Sequence, residues 1–401
     1  LEVVVDASKR LRPVTKEAGG ISFHRVAGWT GQPYDRNGNY TLPPSLEDAI
    51  RELRLPMTRF YAVGDEPFGL EGTIDRIAEI CRRMNIPQEW TVLELETQSA
   101  VTKLAPEVWA YAARYIRQKG YRFRFFEVAN EPYSSLWSTE MGKAFPKPED
   151  YIAHVKAVSQ AIKRENPKAQ VGIAVHVRNL QWGNRVLKEA AGAYDFVVAH
   201  YYCFANVYRL PFEEIVLTEN FRILETILRW NALIRLYNPN RDVYQLDTEW
   251  GMHSGGLQGE RADYVDRNAN ILGTLHRAVR LIYYAREGVL KGASGWQMLS
   301  LTRGQGFGIL FSDAPEHRSM LYWLYWHFNR LIGDWVLEID GIAPYHRPAN
   351  ERDANLAGPM TPLLATLNRD GKVLTLMIVN GSWTKPVPFS ITLRNFRAGE
   401  A

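Results

Sequence analysis

The feature that most limits the possible folds is a repeated pairing, in which a short apolar run is followed by a longer stretch with helical spacing. Eight such runs read as strands, at Gly20–Val26, Met57–Val63, Trp90–Glu96, Phe123–Asn130, Val171–His176, Phe196–Tyr202, Val243–Trp250 and Ala293–Leu299. Their starts advance by steps as short as 171 to 196 and as long as 243 to 293. That is the scale of a strand plus its crossover helix, about 30 residues. Between them, Ile74, Ile77, Cys81 and Met84 keep one helical face apolar, as do Tyr151, Ile152, Val155, Val158 and Ile162. Eight strand–helix units are the arithmetic of an α/β fold, a (β/α)8 TIM barrel, which typically takes about 250 residues. A doubly wound sheet is the alternative. It would need a Gly-rich phosphate loop after the first strand for dinucleotide binding, and the sequence has none there. The predicted barrel spans residues 19–332.

The flanks read differently. Pro362–Leu367, Lys372–Val379 and Val387–Leu393 are strand-like, with Asp370-Gly371 and Asn380-Gly381 marking turns. Leu1–Asp6 is also strand-like and precedes the barrel. A small β-sandwich built from residues 1–18 and 333–401 would use all of these pieces. Hydrophobic residues at 46% and charged residues at 23% exclude a disordered or fibrous chain. No apolar run approaches the 18 or so residues of a membrane-spanning helix, so no membrane partner is expected. Lys and Arg number 48 against 44 Asp and Glu, an excess too thin to predict nucleic-acid binding. Cys81 and Cys203 read as buried thiols, without the spacing of structural zinc. The chain opens Leu1-Glu2-Val3 without Met, which favours a secreted protein processed from a longer precursor. Nothing in the pattern sets an oligomeric state.

In barrel enzymes the catalytic groups stand at the C-terminal ends of the strands, which leaves few candidates. Strand four ends Phe126-Glu127-Val128-Ala129-Asn130-Glu131-Pro132, and strand seven ends Asp247-Thr248-Glu249-Trp250-Gly251. Each puts a Glu at the mouth. Two carboxyl groups facing each other across a cleft are what retaining glycoside hydrolysis needs, one to protonate the leaving oxygen and one to attack the sugar carbon. By two-residue alternation, Glu127 should share a face with Glu131, and Asp247 with Glu249. These deeper acids, with Glu94, read as partners for Arg59 or for backbone groups. Glu96 also ends its strand and stays a candidate for sugar contact. The acid also needs a raised pKa, which apolar neighbours and an ionised partner carboxylate would supply at Glu131.

On these motifs the sequence resembles the clan A glycoside hydrolases, with family 39 nearest and families 51 and 30 related. The resemblance implies Glu131 as acid/base, Glu249 as nucleophile and Asn130 on the sugar 2-hydroxyl. It further implies Arg59 beside the nucleophile, His200 and either Tyr201 or Tyr202 against the nucleophile or sugar, and Trp296 as the floor of the site. Ala129 departs from the Trp common before Asn-Glu in family 39. The implied activity is double-displacement hydrolysis of β-glycosidic bonds in plant-type polysaccharides or their oligomers, β-xylosides or β-1,4-glucans, with no cofactor. An α-L-arabinofuranosidase of the same clan, or an inactive carbohydrate-binding barrel, is the alternative. Aromatic residues make up 12% of the chain, and Trp29, Tyr34, Tyr61, Trp137, Trp182 and Trp250 near strand ends are candidates to line a sugar cleft. A metal site among His176, His200, Asp247 and Glu249 is the rival chemistry.

Overall fold

The structure, a computed structural model, describes residues 2–27, 32–96, 103–133, 143–203, 210–252, 270–301, 307–341, 344–397 and 399. After β1 (Glu2–Pro13) the chain alternates strand and helix eight times. The strands are β2 (Gly20–Ile21), β3 (Thr58–Phe60), β4 (Thr91–Glu94), β5 (Phe125–Val128), β6 (Gln170–Ala174), β7 (Phe196–Val198), β8 (Tyr244–Met252) and β9 (Gly292–Gly295). Each is followed in turn by one of α1 (Pro44–Glu52), α2 (Gly69–Met84), α3 (Pro106–Gln118), α4 (Pro148–Glu165), α5 (Leu180–Glu189), α6 (Glu219–Tyr237), α7 (Ile271–Glu287) and α8 (Met320–Leu331). The strands pair in parallel in the order β2-β9-β8-β7-β6-β5-β4-β3. The Ile21 amide donates to the Met57 carbonyl and the Phe23 amide to the Arg59 carbonyl, at 3.4 and 3.1 Å, and these bonds close the ring. This is the expected barrel.

Packing explains why these segments take these shapes. Met57, Val92, Phe125, Phe196, Val198 and Leu246 point inward and plug the lower barrel. Gly172 on β6 makes room for that plug, because a Cβ there would stand 2.1 Å from the Phe196 ring. Outside, α2 buries Ile74, Ile77, Ile80, Cys81 and Met84 on one face, each large side chain contributing roughly 1.5–3 kcal/mol. Both cysteines are buried, as expected. No helix among the described residues is long and apolar enough to cross a membrane.

The chain ends meet in a second sheet. β10 (Trp335–Gly341), β11 (Leu363–Leu367), β12 (Leu374–Ile378) and β13 (Ser390–Arg394) join β1 in the order β12-β11-β10-β1-β13. Val3, Val5, Ala7, Leu337, Leu363, Ala365 and Leu367 form its apolar face. Two details differ from the sequence reading. β1 continues to Pro13 through an irregular register after Asp6, and β10, which pairs with it, was not anticipated.

Candidate active site

The mouth of the barrel is organised around Arg59, fully buried on β3. Its guanidinium donates to both oxygens of Glu127 (2.9 and 2.6 Å), to Asn130 Oδ1 (2.9 Å) and to Glu249 Oε1 (2.6 Å). Burial opposes the charge on Arg59, but Glu127 and Glu249 outweigh it and keep the group protonated. Burial likewise pushes Glu127 up, and the Arg59 and His200 charges more than reverse that, holding it below the usual carboxylate range. Glu94, buried with weaker compensation, is pushed well above that range. It accepts from the Ala62 and Glu96 amides.

Two backbone irregularities bring the mouth glutamates together. After β5, Ala129 and Glu131 take left-handed conformations, φ 62 and 50, each costing on the order of 1–3 kcal/mol for a non-glycine residue. The turn carries Glu131 over the opening. On β8, Ala293 pairs with Asp247 but Gly295 with Trp250, so β8 holds one extra residue there. The bulge breaks the alternation. Glu249 and Thr248 reach Arg59 and His200 inside the barrel. Asp247 does not follow Glu249 as expected. It turns outward to the Tyr284 hydroxyl on α7 (2.6 Å) and the Tyr201 amide (3.3 Å), and burial, partly offset by Tyr284 and Arg280, pushes its pKa up to about 7.

His200, at the end of β7, sits between the two glutamates. Its Nδ1 lies 2.8 Å from Glu131 Oε1 and 3.7 Å from Glu249 Oε2, and its Nε2 lies 3.3 Å from Thr248 Oγ1 and 3.9 Å from Glu127. Burial disfavours the imidazolium, but the charge of Glu249 and the bonds to Glu127 and Glu131 raise the pKa to about 10. The expectation of a raised pKa at Glu131 is therefore reversed. Burial pushes it up as anticipated, yet the hydrogen bond and charge of His200 outweigh this and lower it. The proton of the pair rests on the ring.

Tyr202 resolves the choice between the two tyrosines. Its hydroxyl donates to Glu249 Oε2 at 3.1 Å. Tyr201 points outward, 1% exposed, and donates to Gln245. Trp296, half-buried after β9, meets His24 edge-on at 4.3 Å, while His24 stacks on Tyr61 at 4.5 Å. This aromatic wall includes Tyr61, one of the expected cleft aromatics, and His24, which the sequence-based site did not contain although it stands at a strand end. His176 meets the Tyr133 ring edge-on at 4.6 Å beside Glu131.

Other candidates fall away. Trp250 is fully buried behind β8 against Tyr284, because the strand turns it away from Glu249. Glu96 is tied to His154 (2.6 Å) and to the Leu104 amide (2.9 Å). Tyr34 packs on Tyr40 and Phe68, and Trp182 stacks on Tyr151. Trp29 and Trp137 lie outside the described residues.

One trio could offer ligands to a metal: Glu131, His200 and Glu249 each present an atom within 4.8 Å of the others. The His176–Asp247 set does not assemble, since Asp247 faces α7. Within the trio Arg59 donates to Glu249 Oε1 and His200 Nδ1 meets Glu131 Oε1, and a ligand imidazole would have to be neutral.

No protein-family model matches the chain, and no curated protein matches it. Solved structures do. A family 51 α-L-arabinofuranosidase from Thermotoga petrophila RKU-1 aligns at TM-score 0.75 and 15% identity, over 99% of this chain and 88% of that one. A bifunctional glucanase–xylanase from a metagenome library aligns at 0.66 and 13%, over 99% and 90%. A family 44 endoglucanase from Clostridium thermocellum aligns at 0.59 and 13%, over 99% and 90%. At such identities the likeness is one of fold: this chain shares the overall architecture of these solved glycoside hydrolases.

Proposed function

We propose that the protein is a retaining glycoside hydrolase with Glu131 as acid/base and Glu249 as nucleophile. The observation that carries this reading is the approach of the two carboxylates to within 4.8 Å. Retaining enzymes hold them about 5–5.5 Å apart, whereas inverting ones leave about 6.5–9.5 Å for a water. Differing company gives each its role. Arg59 donates to Glu249 Oε1 and the Tyr202 hydroxyl to its Oε2, which fixes that carboxylate in place. Glu131 receives its proton from His200.

In the first step Glu131 protonates the glycosidic oxygen while Glu249 attacks the anomeric carbon. The bond to the leaving alcohol breaks and a glycosyl ester forms. In the second step the Glu131 carboxylate takes a proton from water, whose oxygen displaces Glu249 and releases the sugar with its configuration retained. Asn130, anchored on Arg59, faces the sugar 2-hydroxyl, and Trp296 provides an apolar floor. The substrate is a plant-type oligo- or polysaccharide, with β-xylosides or β-1,4-glucans leading. The fold likeness to arabinofuranosidases favours α-L-arabinofuranosides as a second reading. An aryl-glycoside panel with proton NMR of the first-formed anomer tests both: the substrate is read directly, and an initially inverted product overturns the mechanism.

A further inference from the structure

Helix α7 carries two arginines that the chemistry above does not use. Arg277 and Arg280 are 0% and 1% exposed, and among the described residues their hydrogen bonds go to neutral oxygens. Arg277 donates from Nη1 to the Tyr325 hydroxyl (3.1 Å) and from Nη2 to the Trp296 carbonyl. Arg280 donates to Asn220 Oδ1 (2.6 Å), the Tyr201 carbonyl (3.1 Å) and the Tyr284 hydroxyl (3.1 Å). Both guanidinium groups lie against the ring of Trp250, at 5.2 and 5.7 Å. Packing alone does not call for this, since buried ions can often be replaced by apolar side chains without loss of stability.

The surrounding backbone is shaped to admit Arg277. A Cβ on Gly251 would stand 2.5 Å from its Nη2, and one on Gly295 would stand 2.7 Å from its Nη1 and 2.4 Å from the Tyr325 hydroxyl. Glycine therefore occupies both strands where the guanidinium passes. The Trp296 peptide is held on both sides, its amide donating to the Trp250 carbonyl (3.0 Å) and its carbonyl accepting from Arg277. We propose that Arg277, braced by Arg280 across Trp250, is a positioning residue. It locks the ends of β8 and β9 together and so sets where Glu249 and the Trp296 ring meet the sugar. The inference rests on the glycosidase reading and adds to it a residue that never touches substrate.

Arg277→Lys keeps the charge but carries its donors on a single nitrogen, without the fork that spans Trp296 and Tyr325. Arg277→Met keeps the bulk. Gly251→Ala leaves the arginine and pushes a methyl into its guanidinium. Each should lower kcat on an aryl glycoside on the order of ten- to a hundredfold, as misplacement of a reacting group does, with KM within about threefold. Labelling by an activated 2-deoxy-2-fluoro glycoside should still reach one sugar per chain, more slowly by the same factor. Gly251→Ala combined with Arg277→Met should lose no more than the worse single variant, because both break one contact. A lowered melting temperature with kcat per labelled site unchanged would overturn the proposal, as would additive losses in the double variant. If both Arg277 variants fail to fold, Gly251→Ala decides, and full kcat there overturns it. Wild-type protein inactive on every glycoside refutes the glycosidase reading itself, a result distinct from an active wild type that these variants leave intact.

Discussion

Replacing His200 by Gln should narrow the pH range of activity on its alkaline side. In the wild type the pair of His200 and Glu131 holds one proton until the pH passes the imidazolium value of about 10. The proton moves along a 2.8 Å hydrogen bond to Glu131 when the leaving oxygen needs it. For glycosides with poor leaving groups, the alkaline limb of kcat/KM therefore lies near pH 10. Gln can donate the same hydrogen bond without the charge. Losing the imidazolium charge, one of the causes that lower the Glu131 pKa, lets that carboxyl rise. That rise is too small to replace the lost imidazolium, because even fully buried carboxyls reach only about 8–9. The limb must fall by at least about one pH unit. Glycosides with good leaving groups need little protonation, so their alkaline limb should move less. The assay is kcat/KM against pH on two aryl glycosides of differing leaving-group acidity, for wild type and His200→Gln. An unchanged alkaline limb on the poor leaving group would refute the shared proton.

The carboxylate roles separate by substrate. Glu249→Ala should abolish turnover on every glycoside, while Glu131→Ala should spare good leaving groups by orders of magnitude relative to natural linkages; equal losses on both contradict the assignment. Arg59→Met strands Glu127 and Glu249 in the barrel, and loss of one partner of a buried pair costs about 3–5 kcal/mol, readable by urea unfolding. Asp247 has a folded pKa of about 7, above its ordinary 3.8. The proton it holds therefore stabilises the fold fully below pH 3.8, and that stability is lost as pH rises through 7. Asp247→Asn should flatten the fall in unfolding free energy between pH 5 and 8, and an unaltered slope would show that Asp247 is not its source. Saturating chelator should leave turnover unchanged, and loss restored by a divalent cation would revive the metal reading of Glu131, His200 and Glu249.

The barrel was legible because each strand is a short apolar run closed by a polar residue, and Glu131, His200, Glu249 and Trp296 each sit at such a closure. Alternation was not enough for two aromatic candidates: the choice between Tyr201 and Tyr202 rests on the Tyr202 hydroxyl reaching Glu249, and Trp250, a cleft candidate, is buried behind β8. The bulge in β8 was not legible. One extra residue between Asp247 and Trp250 reverses the parity, and only pairing with β9 reveals it. The lowered pKa of Glu131 was hidden for a related reason. Its cause is a ring 69 residues away along the chain, and a sequence carries no distances between strand ends. β10 escaped although Gly333-Asp334 precedes it and Asp340-Gly341 ends it; its apolar run, Trp335-Val336-Leu337, is only three residues long and follows closely on the last barrel helix.

The charge inventory of the barrel explains why so many acids crowd one opening. Glu94 is held neutral by burial, and Asp247 is turned out to Tyr284. That leaves Glu127, Glu131 and Glu249 as anions against Arg59 and a protonated His200. The site thus keeps one negative charge in excess, in surroundings poor in water, where charges act more strongly than in solution. Glycoside cleavage passes through an oxocarbenium-like state in which positive charge grows at the sugar. A fixed excess anion stabilises that state more than the neutral substrate, as electrostatic preorganisation requires. Without the Arg59 bridge, Glu127 would be left as a buried carboxylate without its partner. Glu127 therefore holds in place the guanidinium whose other donor reaches Glu249, the nucleophile of the proposed reaction.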